Sequence, residues 1–469
     1  MRPSRGGLMT RHRSASSLTP AGPQSLPPST CAFALLVVAG CGITESARPP
    51  YVPEAAEMVP AEASQPSPGA PTGRQLAESL LGAEQIRLAD LLRALDAVSP
   101  DVAAAEDEVR AASGRAWQAG LHPNPSLEFT REGPLDRRPW GRTAFTVGVR
   151  QPIVVSDRRR LAVNAELADR DVRRLDVEEV RRRVLGEARA AFVELVYLRD
   201  AIALHREMIG LAQKTLDLAR ERVEAKVAID VEALKPELEV RSLQSTLVGL
   251  ERQRDGARAV LEASLGGLTV PVDRFVREPV APLANDGLGN LVQRVRETHP
   301  AARAARQAVE AAREGLTLAR TASRPDISVG VAVGRDFDEN DFIAEIGVEI
   351  PLAVFDAGQG RIFESEALVS KARREAEAVE VRLAVELSRW YGEYETARAR
   401  LDEMRERILP LAERSLEATR EAYRNARLEF LDLLDAQRTL LEARAASLEL
   451  ERDLNAAAAE IRTLVGDRP

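Results

Sequence analysis

The chain has 469 residues, enough for two or three ordinary domains, yet aromatic residues are 4% and charged residues 29%, the balance of long helices meeting along narrow seams rather than in a thick core. The formal charge of −8 comes with Arg interleaved among Glu throughout. No clustered positive surface is left to hold phosphate, so nucleic acid is excluded as a partner.

The first predicted element is a leader over residues 1–40. Arg2, Arg5, Arg11 and Arg13 precede the apolar run CAFALLVVAG at 31–40, which is too short to span a bilayer as a helix and has the pattern of a secretory signal, with Met9 as an alternative start. The run ends in VAGC, which resembles a bacterial lipobox in which Cys41 becomes the lipid-bearing first residue of the mature chain. Gly42 follows it, where an aspartate would favour inner-membrane retention. Cys31 and Cys41 are the only two cysteines, so there is no disulfide framework and no zinc-type spacing. Residues 41–83 are rich in Pro, Ala, Ser and Glu and are predicted to form a disordered tether. No later stretch approaches eighteen consecutive apolar residues, so a bilayer crossing there would have to be made by strands.

The remainder divides into two copies of one unit, 84–287 and 288–469. Pro100 and Pro125 of the first match Pro300 and Pro325 of the second, TLDLARERVEAKVAIDVEAL from Thr215 faces SLEATREAYRNARLEFLDLL from Ser415, and Gly266 faces Gly466, always 200 residues apart. Each unit opens on a helix, 84–120 in the first and 289–322 in the second. A β-hairpin follows in each, at 125–153 and 325–351. In the first, Leu127, Phe129, Phe145, Val147 and Val149 alternate onto one face. In the second, Ile327, Val329, Val331, Val333, Ile346, Val348 and Ile350 oppose Ser328, Gly330, Glu345 and Glu349. Strands of about 9 to 11 residues are long enough to cross a bilayer when tilted. Four of them cannot close a barrel, and open edges cannot face lipid, so a membrane role requires several chains to pool strands.

A helix of about 70 residues is predicted from 156 to 225, carrying Val184, Ala188, Ala191, Leu195, Leu198, Ile202, His205, Ile209, Ala212, Leu216, Ala219 and Val223 at alternating spacings of four and three, a coiled-coil seam. A turn at 226–230 reverses the chain into a helix over 230–265. A second tip at 426–430 leads into the last helix, 430–466, which the helix 84–120 is expected to complete. His12, His122, His205 and His299 are scattered, and no His, Cys or carboxylate spacing resembles a metal site. With no phosphate-cradling Gly-rich loop either, no enzyme activity, cofactor or metal is expected. His205 sits in the seam as a packing residue.

This plan resembles the TolC-like outer membrane efflux protein family over about residues 84–466. LHPNPSLEF at 121–129 is similar to the approach to the first strand in its heavy-metal CzcC/CusC branch, GVEIPLAVFDAGQGR at 347–361 to its strand-to-helix junction, and AYRNARLEFLDLLDAQRTLLEAR from Ala422 to its last helical tip. The resemblance implies a mainly α fold with a small β part: a homotrimer whose twelve strands close one outer-membrane barrel and whose helices form a periplasmic tunnel. Its partners would be outer-membrane lipid, a periplasmic membrane-fusion adaptor and an inner-membrane pump of the RND type. Lys226, Val227, Ala228 and Ile229, with Arg427, Leu428 and Glu429, match the adaptor-docking tips, although Glu429 stands in place of the family's serine and Ala426 where glycine is common. Asp432 and Asp435 match the aspartates of the constricted periplasmic end, the alternative being solvated residues paired with Arg438 or Arg427. Pro152 and Pro351 mark the strand–helix junctions, where proline is expected to end ladder pairing. The acidic loop 334–341 would lie outside the cell. A passive duct for heavy-metal cations is the first reading; the same duct for drugs or type I protein secretion is the second, and a structural periplasmic coiled-coil protein is a remote third.

Overall fold

The computed structural model describes residues 72–133, 144–226, 229–278, 287–337, 339–425 and 427–466, all within the unit Pro53–Pro469. The leader, Cys41 and most of the tether lie outside the described residues. In chain order the elements are α1 (Gly73–Leu81), α2 (Leu88–Val98), α3 (Pro100–Gly120), β1 (Ser126–Glu132), β2 (Ala144–Ile153), α4 (Arg158–Glu224), α5 (Val231–Ser264), α6 (Leu288–Thr298), α7 (Pro300–Ala319), β3 (Ile327–Asp336), β4 (Phe342–Glu349), α8 (Gln359–Glu403), α9 (Leu409–Arg424) and α10 (Phe430–Val465).

The expectation of a tether running to residue 83 is corrected by α1. Thr72 and Gln75 cap it reciprocally: the Thr72 hydroxyl accepts from the Gln75 N–H at 3.3 Å, and the Gln75 side chain accepts from the Thr72 N–H at 2.9 Å. Ala77 and Leu81, four apart, are buried against the first core. Gly73 lets the helix start against α2, because a Cβ there would lie 2.3 Å from the Ala97 carbonyl oxygen.

The two opening helices, 84–120 and 289–322, are each broken once. Ser99–Pro100 separates α2 from α3 and His299–Pro300 separates α6 from α7, since a residue before proline is pushed out of the helical region. Both breaks are capped by the residue before the proline. Ser99 Oγ accepts from the Val102 N–H, and His299 Nδ1 accepts from the Ala301 N–H at 3.1 Å. Further along, a π-helical turn over Met404–Ile408 joins α8 to α9 just ahead of Pro410, whose missing N–H and ring disfavour a regular α turn.

α4 is 67 residues long and spans about 100 Å at 1.5 Å per residue. Its seam is buried or half-buried at every position named above, His205 among the half-buried. α3, α5, α7 and α10 all pack along it. The opening helix α3 therefore lies against α4 within the chain, whereas α7 and α10 are the chain's own partners for α8. Where α4 meets α10 the backbones come close: a Cβ at Gly186 would sit 2.5 Å from Thr463 Cγ2, and Arg182 Nη1 donates to the Thr463 carbonyl at 2.7 Å.

Two hydrophobic cores repeat the 200-residue offset. Leu91, Leu95, Leu261 and Leu265 of the first correspond to Leu291, Val295, Ile461 and Val465 of the second. The first core also takes Phe192 of α4 stacked on Phe275, with ring centroids 4.6 Å apart.

The four strands form one antiparallel sheet in the order β1-β2-β3-β4. Leu127 pairs with Val149, Val149 with Val331 and Val331 with Ile346, so one apolar stripe crosses all four strands, and it is bare: Leu127 is 61% exposed and Ile346 83%. Pro351 follows β4, whose last paired residue is Glu349, whereas the proline expectation is corrected for Pro152, which lies inside β2 opposite Ser328. β1 starts at Ser126, opposite Arg150, so at Pro152 the strand is already an edge on that side, where an absent N–H is tolerated. The junctions differ accordingly. Four residues link β2 to α4, while nine link β4 to α8 and end on Gly358 at φ 79°, where a Cβ would approach Ala322 Cβ to 2.4 Å.

His299, with a side chain 1% exposed, is held down to about 3 by burial and then by the Arg182 guanidinium; its Nε2 has no partner among the described residues. Glu179, 3.7 Å from Nδ1, is itself gripped by Arg182. The unfolded chain takes up this proton near pH 6.5 and the folded chain only near 3, so the stability due to neutral His299 is complete above 6.5 and falls as the pH drops towards 3, by up to about 1.4 kcal/mol per unit. In His299→Ser, which copies Ser99 and keeps a cap, denaturant midpoints measured from pH 7 to 4.5 should fall less steeply than in the parent; parallel pH profiles would contradict this.

Candidate functional site: the helical tips and the cleft behind them

Two helical hairpins end in tips on the same side of the bundle. At the first, α4 closes at Glu224 and Lys226 adopts φ 56°, a left-handed conformation that lets the chain reverse within a few residues before α5. Ile229 is exposed there, and Val227 and Ala228 lie outside the described residues. At the second, the Arg427 N–H donates to the Ala422 carbonyl at 2.9 Å, satisfying the end of α9, and Leu428 is exposed. Ala426 is outside the described residues.

Glu429 occupies the cap position of α10 in extended backbone, where serine, threonine, asparagine and aspartate are favoured. The cap is completed from within the helix: Asp432, three residues on, accepts from the Glu429 N–H at 2.9 Å. Its carboxylate also sits in the first turn, where the helix dipole favours negative charge. Asp432 therefore has a local structural role that its matching to the family's tunnel residues did not foresee.

Immediately behind this tip lies a cleft of about 370 Å³ between three helices. α4 contributes Met208 and Thr215, α5 contributes Glu239, and α10 contributes Asp432, Asp435 and Arg438. Thr215 is within roughly 15 Å of the first tip along α4, which places both tips beside one cleft. Arg438 is its counter-charge: Nε donates to Glu442 at 2.9 Å and meets Glu239 of α5 at 3.3 Å, and its pKa is raised by the bond to Glu442, then by Glu239, with Asp435 adding to the pull. Neither Asp432 nor Asp435 forms an ion pair within 4 Å among the described residues, so the pairings with Arg438 and Arg427 weighed above are not made. Both carboxylates are exposed, close together on one helix face. The cleft thus gathers three acids around one guanidinium, an arrangement suited to attracting cations.

Sequence reading placed the two aspartates together but missed Glu239, 199 residues from Arg438; nothing in its local pattern signals that partnership. Pro152, near the end of β2, and Pro351, beyond β4, lie at the opposite end of α4, by the sheet.

Long helical hairpins with paired tips at one end and a sheet with one bare apolar face at the other define a duplicated hairpin-bundle protein equipped to meet a bilayer. The profile of the outer membrane efflux protein family matches residues 91–267 and again 291–467, and the chain belongs to that family, whose members are channel components and not enzymes. The cobalt-zinc-cadmium resistance protein CzcC of Cupriavidus metallidurans is 26% identical over 366 residues, covering 78% of this chain and 86% of CzcC. The outer membrane efflux protein BepC of Brucella suis is 23% identical, over 67% of this chain and 70% of BepC. Among solved structures, the outer membrane protein VceC of Vibrio cholerae shares the fold at a TM-score of 0.61 and 21% identity, over 80% of this chain and 95% of VceC. CusC shares it at 0.65 and 16%, over 81% and 92%.

The capping role separates the two aspartates. Asp432→Ala should lower stability by about 1 kcal/mol, while Asp432→Asn, which keeps an acceptor, and Asp435→Ala should each cost little. Proteolysis at the second tip, or thermal melting, would register the difference, and equal losses in Asp432→Ala and Asp435→Ala would remove the cap assignment.

Proposed function

We propose that this chain is the outer-membrane channel of a tripartite export system for heavy-metal cations of the cobalt, zinc and cadmium class. The likeness to CzcC, extending over 86% of that protein, carries the choice of cargo. An inner-membrane pump of the RND type supplies the energy and a periplasmic adaptor joins it to the passive duct.

The physical support for a channel lies in the sheet. Its apolar stripe is bare and its two edge strands have unpaired backbone groups, each costing several kcal/mol in hydrocarbon. Three copies pooling twelve strands close the barrel and abolish the edges. The apolar stripe then meets lipid and the polar face lines water. Lys226, Val227, Ala228 and Ile229 with Arg427, Leu428 and Glu429 form the adaptor-docking tips. Cys41 carries the lipid that anchors the mature chain to the outer membrane.

A strain lacking this chain should become sensitive to cobalt, zinc or cadmium and be restored by the wild-type gene, with Cys41→Ser failing to incorporate labelled palmitate. Sensitivity to drugs and to no metal would replace the metal reading by drug efflux.

Asp432 and Asp435 act as the periplasmic gate, six carboxylates around the tunnel mouth of the trimer. With both changed to Asn, which spares the cap, the trimer in planar bilayers should show altered conductance and weaker cation preference; unchanged values of both would sink the gate.

A further inference from the structure

The polar face of the sheet carries Glu128 and Glu132 on β1, Asp336 on β3, and Glu345 and Glu349 on β4, with Arg150 of β2 as its single basic side chain among the described residues. Arg150 is bound to both edge strands. Its Nε and Nη2 grip the Glu128 carboxylate as a fork, Nη2 to Oε2 at 3.0 Å, while Nη1 donates to Glu349 Oε2 at 2.7 Å.

To reach β4 from β2 the guanidinium must pass over β3. The residue directly opposite Arg150 on β3 is Gly330, and the residue opposite Gly330 on β4 is Gly347. Gly330 therefore leaves the space beside Arg150 on β3 open, and the guanidinium crosses there diagonally to Glu349, which stands opposite Ser328. The planar guanidinium, with five donors in a fixed fork, can hold two carboxylates at once; an ammonium is a single point charge and cannot match that geometry. All three side chains face water to some degree, Arg150 at 31% exposure and Glu349 at 65%, so the cluster is a wetted surface element rather than a buried core pair. It lies near Ile153, the end of β2 that leads into α4, and so at the mouth where the helical part meets the strands.

We infer that Glu128, Arg150 and Glu349 form a charge-selectivity element of the pore wall, in which Arg150 sets how much of the wall's negative charge is presented to passing ions. This rests on the reading above that the polar face lines the pore. Each triad carries one net negative charge. Loss of the guanidinium uncovers two carboxylates per chain, and loss of one carboxylate leaves the triad neutral.

The test is the reversal potential of the purified trimer in planar bilayers under a KCl gradient. Arg150→Gln should raise the cation-to-anion permeability ratio severalfold. Glu349→Gln should lower it, and Glu128→Gln with Glu349→Gln should lower it further towards anion preference. Arg150→Lys, which keeps the charge, should stay near the wild-type value. Glu349→Gln leaves the fork between Arg150 and Glu128 in place and so preserves the sheet, which keeps the test decisive where Arg150→Gln fails to assemble. Conducting trimers of Arg150→Gln and Glu349→Gln with unshifted reversal potentials overturn the inference and leave the channel standing. A wild-type trimer with no conductance overturns the channel reading and this inference with it.

Discussion

The seam of small and apolar residues along α4 positions most of the molecule. Its alternating spacing of four and three keeps one stripe facing its neighbours over some 100 Å, and small residues on it allow backbones to approach where larger ones would hold them apart. At Gly186 the approach is so close that Thr463 of α10 occupies the space of a Cβ, and Arg182 fastens the same point by donating to the Thr463 carbonyl. Since β2 leads directly into α4 and the first tip closes it, the distance between sheet and tips is the length of one helix.

The two ends of that rod share a chemical device. At the tip, Arg438 links α10 to α5 through Glu239 while Asp432 and Asp435 are left facing the cleft. At the sheet, Arg150 links β1 to β4 while the remaining acids of the polar face outnumber it. A guanidinium can bind carboxylates from separate elements at once, which orders those elements without cancelling the negative charge around it. Exposed pairs of this kind contribute little to stability, so their value lies in where they leave charge.

The duplication was legible because sequence identity and burial pattern share one offset: the core residues Leu91, Leu95, Leu261 and Leu265 recur at Leu291, Val295, Ile461 and Val465. The faces of the strands were legible for a similar reason, as alternation within a strand has only two outcomes. The α1 helix is hidden within the Pro-rich average composition of 41–83, although Thr72 and Gln75 stand at capping-box spacing ahead of Ala77 and Leu81. Pro152 does not terminate its strand as proline usually does, because the absence of β1 opposite it removes the need for an N–H on that side.

By itself the sequence determined what depends on neighbours a few residues away: helix period, strand alternation, tip position, and the closeness of Asp432 to Asp435 on one helix face. Only the tertiary structure decided which distant groups meet. Glu239 beside Arg438, Thr463 against Gly186, and Arg150 reaching past Gly330 to Glu349 are pairings between chain segments far apart in number. Local periodicity dictates which way a side chain points along its own element, but the partner it finds depends on the register and packing of the whole bundle, which no short stretch encodes.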